Sequence, residues 1–171
     1  MNNKELIKNL QSSKTDTVIT TLHFIATEGN KELLSEVILL LQQTNNKKIQ
    51  EEIIKILENL KDQKSVPTLI EAINDKKNRH KLSTLISACW KNGLNYEDYV
   101  ETFVSVFIDE DFQMAFDAFT VIDNMTNIRE DIADRCLIKL ENAIENISSD
   151  KRRLLHELIK IIKDKTTNPA S

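Results

Sequence analysis

The chain has 171 residues, of which 40 % are hydrophobic and 29 % are charged, and its net charge at pH 7 is −4. This composition is ordinary for a globular protein long enough to bury a continuous core, and the acidic balance argues against nucleic acid or an anionic membrane as the main partner. Because the whole chain contains only two glycines and two prolines, we expect an all-α protein.

Apolar residues recur at positions i, i+4 and i+7 in two interleaved series, and successive triplets of a series start 31 to 34 residues apart. The triplets of one series start at Leu34, Val66, Val100 and Ala133, and those of the other start at Val18, Ile49, Leu82 and Ala115. Within a triplet the three side chains share one face of a helix. A period of this length is typical of stacked helical repeats, in which neighbouring helix pairs bury their apolar faces against each other.

In chain order, the period predicts ten helices, at about residues 3–12, 15–28, 31–43, 46–61, 65–74, 78–91, 95–109, 111–125, 128–146 and 150–164. They form about five antiparallel pairs, over residues 3–28, 31–61, 65–91, 95–125 and 128–164. We expect a single repeat domain over residues 1–164, followed by a flexible tail over residues 165–171.

Asparagines precede three of the predicted helices. Asn30, Asn95 and Asn127 each stand just before an apolar-periodic stretch, where an asparagine side chain accepts hydrogen bonds from free backbone N–H groups. Asn127 is followed three residues later by Glu130, as in a capping box. We therefore expect helix N-termini at these three positions.

A proline, both glycines and both cysteines are also expected to have structural roles. Pro67 lies in a first helical turn, and Gly29 and Gly93 follow helices where a left-handed residue ends them. Cys89 and Cys136 occupy periodic apolar positions, which predicts buried free thiols rather than a disulfide.

The third predicted pair resembles a HEAT repeat. Its first helix has Pro67 near the start and Asp75 at the end, and the basic residue Lys81 follows six positions later at the start of the second helix core. The resemblance implies an armadillo-like, right-handed α-α superhelix, a solenoid, whose second helices line the concave side. HEAT-like proteins are mostly scaffolds for protein binding, and a minority bind nucleic acid or act as enzymes.

Sequence signals for enzymes and cofactors are absent. With glycines at positions 29 and 93 alone, no phosphate-binding loop or nucleophile elbow is possible. The histidines His23, His80 and His156 lie in different repeats, and no His, Cys and acid spacing matches a metal site. We predict no enzymatic activity, no cofactor and no metal.

The composition is uneven in the fourth pair. Between Lys91 and Arg129 there is no lysine or arginine, whereas the stretch holds eight acidic residues and, from Trp90 onward, eight of the nine aromatic residues of the chain. The helical wheel places Tyr99 and Phe116 at the edges of the core stripe, where they would be half-exposed. Two interpretations stay open: a locally wide aromatic core with solvated acids outside, or an acidic groove with aromatic anchors for a basic peptide.

Polar residues form columns opposite the core stripe of the second helices, and they are mixed in sign. Such columns suit a protein surface better than the phosphate backbone of a nucleic acid. The candidate partner-binding residues are Glu51, Glu58, His80, Thr84, Trp90, Lys91, Tyr99, Phe116 and Asp117.

Three functional hypotheses follow. The first is a non-enzymatic scaffold or adaptor that binds a protein or peptide, possibly basic, on its concave face. The second is a HEAT-like nucleic-acid-binding or DNA-repair protein, with Trp90 and Asp117 in a glycosylase-like site. The third is a structural module that oligomerises or belongs to a larger assembly through apolar end faces.

The sequence also bears on the compartment. No apolar run approaches the roughly 20 residues that span a bilayer, and the N-terminus lacks the apolar segment of a signal peptide. We therefore expect a cytoplasmic protein without a membrane anchor.

Overall fold

A computed structural model describes residues 2–28 and 31–167, and the following statements concern these residues. The chain divides into two compact units, Met1–Asn92 and Gly93–Ser171. The boundary falls between the third and fourth predicted pairs. No helix in the described part is long and apolar enough to cross a membrane.

The first unit contains the predicted first three helix pairs. Its helices are α1 (Asn3–Leu10), α2 (Thr15–Glu28), α3 (Leu34–Gln43), α4 (Lys47–Glu58), α5 (Val66–Asn74) and α6 (Leu82–Asn92). Short 3₁₀ turns at Lys31–Leu33, Gln63–Ser65 and Lys76–Lys81 lead into α3, α5 and α6. Helices α2, α4 and α6 pack side by side, and so do α1, α3 and α5. This is the layered arrangement that a helical repeat produces.

The second unit contains the fourth and fifth pairs. Its helices are α7 (Val100–Asp109), α8 (Phe112–Asp123), α9 (Glu130–Ala143) and α10 (Arg152–Lys165), and a 3₁₀ turn at Glu97–Tyr99 precedes α7. Helix α7 packs against α8 and α9, and α10 packs against α8 and α9. Two short strands, β1 (Ile128–Arg129) and β2 (Thr166–Thr167), pair in parallel.

The periodic triplets form the core, as predicted. All three residues are buried in the triplets that start at Val18, Leu34, Val66, Leu82 and Val100. The other three triplets each contain one half-buried residue, namely Ile56, Phe119 and Leu137. Because each buried aliphatic side chain contributes about 1.5–3 kcal/mol, these stripes are the main source of stability. The all-α prediction is confirmed, and the small parallel pair β1–β2 is an addition to it.

Most of the helix-end predictions agree with the structure. Gly93 follows α6 with φ +67°, and Pro67 lies in the first turn of α5. The Asn95 side chain accepts a hydrogen bond of 2.8 Å from the Glu97 N–H at the start of the 3₁₀ turn. The predictions for Gly29 and Asn30 lie outside the described residues.

The capping box at Asn127 is wrong. Helix α9 begins at Glu130, the residue before it is Arg129, and no side chain caps this end. The chain is extended at β1 because Ile128 and Arg129 pair with Thr166 and Thr167. The Asn127 N–H donates instead to the Glu97 carboxylate, at 2.9 Å.

The predicted tail differs at its start. Helix α10 continues to Lys165, whose ammonium group donates to the carbonyl oxygens of Asp123 and Met125, both at 2.6 Å. Thr166 and Thr167 then form β2. Residues 168–171 lie outside the described residues, so the prediction of a flexible tail concerns those alone.

Candidate partner-binding site

Three phenylalanines form a stripe along α8. Phe112, Phe116 and Phe119 are spaced i, i+4 and i+7, so their side chains share one helix face. The ring centroids of Phe112 and Phe116 are 6.3 Å apart with an interplanar angle of 22°, and those of Phe116 and Phe119 are 6.3 Å apart at 18°. Phe112 is 44 % exposed and Phe116 is 45 % exposed, while Phe119 is half-buried. We call these residues the phenylalanine stripe.

The stripe faces outward because the opposite side of α8 is the buried one. Ala115, Ala118, Val121 and Ile122 are all at most 3 % exposed, and they pack where α8 meets its neighbours α7 and α10. Asp111 is the N-cap of α8, and its carboxylate accepts a hydrogen bond of 3.0 Å from the Met114 N–H. Small alanines against the core and large phenylalanines toward solvent invert the usual amphipathic pattern.

Carboxylates stand at both ends of the stripe. Asp109 and Asp111 are exposed before α8, and the exposed Asp123 lies three helical turns after Phe112, on the same face. In the described part of the chain these three carboxylates form no ion pair. The surface around the stripe is therefore apolar at its centre and negative at its ends.

The two lysines near these helix ends are bonded to the backbone. Lys151 donates to carbonyl oxygens at the end of α7, and Lys165 donates to two carbonyl oxygens at the end of α8. Since these ammonium groups satisfy helix carbonyls, the carboxylates of Asp109 and Asp123 have no side-chain partner within residues 2–28 and 31–167.

The structure separates the aromatic residues of the fourth pair into two groups. Tyr96, Phe103 and Phe107 are fully buried, and the Tyr96 and Phe103 rings meet edge to face at 5.4 Å. This group matches the interpretation of a locally wide aromatic core. The phenylalanine stripe matches the other interpretation, half-exposed aromatics near acids, so each interpretation describes part of the cluster.

Among the predicted site residues of the second unit, Phe116 lies at the centre of the stripe. Tyr99 is half-buried at the end of the 3₁₀ turn before α7. Asp117 is 8 % exposed and accepts a hydrogen bond of 3.3 Å from the Gln113 side chain. Its expected outward position is corrected: it lies one turn before the buried Val121, on a side of α8 that packing covers.

In the first unit the structure brings together three predicted residues. The Lys91 ammonium lies 2.6 Å from the Glu58 carboxylate and 5.7 Å from the centroid of the Trp90 ring. This geometry combines an ion pair with a cation–π contact. The Trp90 ring is half-buried, and its Nε1–H is buried with no hydrogen-bond partner among the described residues.

The remaining predicted residues of the first unit are not joined to that cluster. Glu51 is exposed on α4, and Thr84 is half-buried on α6. His80 is exposed, and its Nε2 donates to the Gln42 carbonyl oxygen at 2.9 Å, which fastens the ring to the end of α3. Within residues 2–28 and 31–167, no three His, Cys, Asp or Glu side chains are grouped as metal ligands.

Sequence reasoning missed Phe112, Phe119 and Asp123 as members of a surface. Their spacing is the available signal, because Phe112, Phe116 and Phe119 form a second i, i+4, i+7 triplet on α8. The sequence analysis instead placed Phe119 in the core triplet that starts at Ala115.

Comparisons with known proteins give the fold alone. No family model matches the chain, and no curated protein matches it. Among solved structures, a designed armadillo repeat protein in complex with the peptide (KR)4 matches with a TM-score of 0.51 and 14 % identity, over 94 % of this chain and 80 % of that one. An engineered protein matches with a TM-score of 0.49 and 15 % identity, over 99 % of this chain and 84 % of that one. The predicted likeness to helical-repeat solenoids is confirmed by the armadillo match, whereas the narrower HEAT assignment stays a prediction.

Proposed function

We propose that this chain is a non-enzymatic helical-repeat scaffold that binds a basic peptide, or a basic segment of a protein, along α8. The phenylalanine stripe supplies the apolar contact, and Asp109, Asp111 and Asp123 supply the charge. The observation that carries the proposal is the outward-facing, stacked stripe between carboxylates that form no ion pair among the described residues.

The exposed rings are suited to a binding hot spot. Phe112 and Phe116 each leave nearly half of their surface in water, although the same helix buries two alanines. Aromatic side chains at the centre of an interface, surrounded by polar groups, typically contribute most of the binding free energy. Covering the exposed half of one such ring is worth about 1–1.5 kcal/mol.

The charge pattern favours lysine and arginine in the partner. Long basic side chains can lay their aliphatic stems along the phenyl faces while their cationic heads reach the carboxylates at the ends of the stripe. Residues 92–128 contain no lysine or arginine to repel such a partner. Electrostatic attraction of this kind raises the association rate and weakens with salt.

The armadillo match provides a precedent for this type of framework. That designed protein is in complex with (KR)4, a peptide of alternating lysine and arginine. The precedent supports a basic peptide as the partner. The contacts proposed for this chain rest on its own residues and not on those of the designed protein.

The test is fluorescence anisotropy with labelled (KR)4 and with the neutral peptide (EK)4 as control. We expect (KR)4 to bind and (EK)4 to bind far more weakly. Phe116→Ala should weaken (KR)4 binding about tenfold. Ile138→Ala removes another exposed apolar side chain, 59 % exposed on α9, and should leave the affinity unchanged.

Charge reversal gives a second, matched pair. Asp123→Lys should abolish most of the binding, and far-UV circular dichroism verifies that the variant is folded, since the new ammonium group stands near that of Lys165 at the end of α8. Asp134→Lys reverses an exposed charge on α9 and should have little effect. Equal affinities for the wild type and all four variants, or equal binding of both peptides, would refute the proposal.

The other hypotheses give different results in the same assay. A nucleic-acid-binding protein would bind duplex DNA with a steep salt dependence and would not distinguish Phe116→Ala from Ile138→Ala in the proposed way. An oligomerising module would change its sedimentation with concentration. Two further predictions remain proposals beside peptide binding on α8. One is that Glu51, Glu58, Thr84 and Lys91 contact a partner, and the other is the cytoplasmic location.

A further inference from the structure

The first unit contains a cavity that the peptide proposal does not use. It has a volume of about 530 Å³ and lies where α2, α3 and α4 meet the segment before α5. Cavities of roughly 300–1,000 Å³ are typical of small-molecule sites.

The cavity wall is aliphatic. The apolar residues that line it are Ile25, Ala26, Leu34, Val37, Ile56 and Leu60. Leu34 and Val37 belong to the buried face of α3, so this part of the wall is fixed by the core. A wall of this kind accommodates a hydrocarbon chain without leaving polar groups unpaired.

The rim offers hydrogen-bond donors. Each oxygen of Glu52 accepts one hydrogen bond, one from the Lys55 ammonium at 2.7 Å and one from the His23 Nε2 at 2.8 Å. The second carboxylate of the lining, Asp62, accepts a hydrogen bond of 2.9 Å from the Lys64 N–H. The Lys61 ammonium donates to the Asn92 carbonyl oxygen at 3.1 Å. An ammonium group carries three N–H donors, so Lys55 and Lys61 each keep donors for a further acceptor.

A buried hydroxyl in the wall has no partner. Ser65 lines the cavity and is 2 % exposed, and its Oγ makes no hydrogen bond among the described residues. Buried hydroxyls nearly always have a hydrogen-bond partner. The Ser65 hydroxyl is therefore expected to find one in a polar group of a bound ligand, once its side chain rotates toward the cavity.

We propose that this cavity binds an aliphatic carboxylate. The hydrocarbon chain lies against the aliphatic wall, and the carboxylate accepts hydrogen bonds from Lys55 at the rim, with Lys61 as the second cation. A carboxylate suits this rim because the Lys55 and Lys61 ammonium groups have N–H donors to spare, and a charge-assisted hydrogen bond to a carboxylate is stronger than one to a neutral hydroxyl.

The probes are decanoate, decanol and decylammonium, titrated into the full chain by calorimetry below their micellar concentrations. These probes share one chain length and differ in the head group. We expect decanoate to bind saturably at one site, with about tenfold higher affinity than decanol, and decylammonium to bind most weakly.

Two variants locate the site, each with a matched control. Ala26→Trp places a large ring in the cavity and should weaken decanoate at least tenfold, whereas Thr27→Trp, at the neighbouring exposed position outside the lining, should not. Lys55→Gln should reduce the preference for decanoate over decanol, whereas Lys47→Gln, on the exposed start of α4, should keep it. Far-UV circular dichroism verifies that each variant is folded.

The proposal is overturned if decanoate does not bind, if decylammonium binds as tightly as decanoate, or if Ala26→Trp and Thr27→Trp have equal effects. None of these results bears on the binding of (KR)4 to α8, which belongs to the second unit.

Discussion

The ammonium nitrogen of Lys151 lies 2.7 Å from the carbonyl oxygen of Glu110, just past the end of α7. The same nitrogen donates to the carbonyl oxygens of Phe107 at 2.9 Å and Ile108 at 3.0 Å, and the side chain is 5 % exposed. A buried lysine is thus satisfied by three carbonyls that α7 cannot satisfy itself, and its charge complements the negative end of the helix.

Replacing Lys151 with methionine should destabilise the protein by about 2–4 kcal/mol. Methionine keeps much of the apolar stem but leaves three carbonyls without their donor, two of them in buried contacts. Urea unfolding followed by circular dichroism measures the effect. Lys160→Met, at an exposed position of α10, is the control and should change stability by less than about 0.5 kcal/mol.

Glu97 should make stability depend on acid pH. Burial raises the pKa of its carboxyl, but hydrogen bonds from the Asn127 N–H, the Asn95 side chain and the Thr126 N–H outweigh burial and hold the pKa below the ordinary 4.5. A depressed pKa in the folded state gives stability that is present above the unfolded value and is lost as the pH falls through the folded value.

The comparison is therefore between the wild type and Glu97→Gln in urea unfolding from pH 6 to pH 3. The wild type should lose more stability than the variant below about pH 4.5, since only the wild type has this carboxylate to protonate. Glu145→Gln, an exposed control, should follow the wild type. Parallel curves for the wild type and Glu97→Gln would disprove the role given to this carboxylate.

The two thiols should be inert in the folded protein. Cys89 and Cys136 are buried and form no disulfide in the described part of the chain, as the sequence predicted, and burial raises the pKa of Cys136 to about 12. Because the thiolate is the reactive form, a maleimide should label neither residue at pH 7 in the native state. Both should react in 6 M guanidinium; rapid labelling without denaturant would contradict the described burial.

Replacing Gly93 with another residue should strain the backbone and lower the stability of the protein. Its φ is +67°, yet an added Cβ would meet no atom within 4 Å. Gly93→Ala should therefore destabilise the protein by about 1 kcal/mol through its left-handed conformation alone, and Gly93→Asn by less. If alanine and asparagine have equal effects in urea unfolding, this explanation of the turn fails.

The repeat period predicted the helices and most of the core. Triplets such as Val100, Val104 and Phe107 became buried stripes because a helical face is fixed by spacing within one segment. Local rules failed where a distant segment intervened. Asn127 looks like a cap, but β2 and Glu97, which are far away in sequence, hold its segment extended.

The repeat period placed the core triplet of α8 at Ala115 and left Phe116 at its edge, but it did not predict that Phe112 and Phe116 form an exposed stripe. The triplet Phe112, Phe116 and Phe119 and the triplet that starts at Ala115 overlap, and both have the pattern of a core face. Packing against α7 and α10 selects the alanine side, which also buries Asp117. The carbonyl contacts of Lys151 and the cavity beside α3 both arise from tertiary packing. Neither has a signature in the sequence.

The most direct test of the proposed function is phenylalanine-selective ¹³C labelling, with ring resonances followed by NMR during titration with (KR)4. The chain has six phenylalanines, of which Phe103 and Phe107 are fully buried and serve as internal controls. The account predicts saturable shifts for Phe112, Phe116 and Phe119, and unchanged signals for the buried pair. Binding of (KR)4 that leaves the three stripe resonances in place would contradict it.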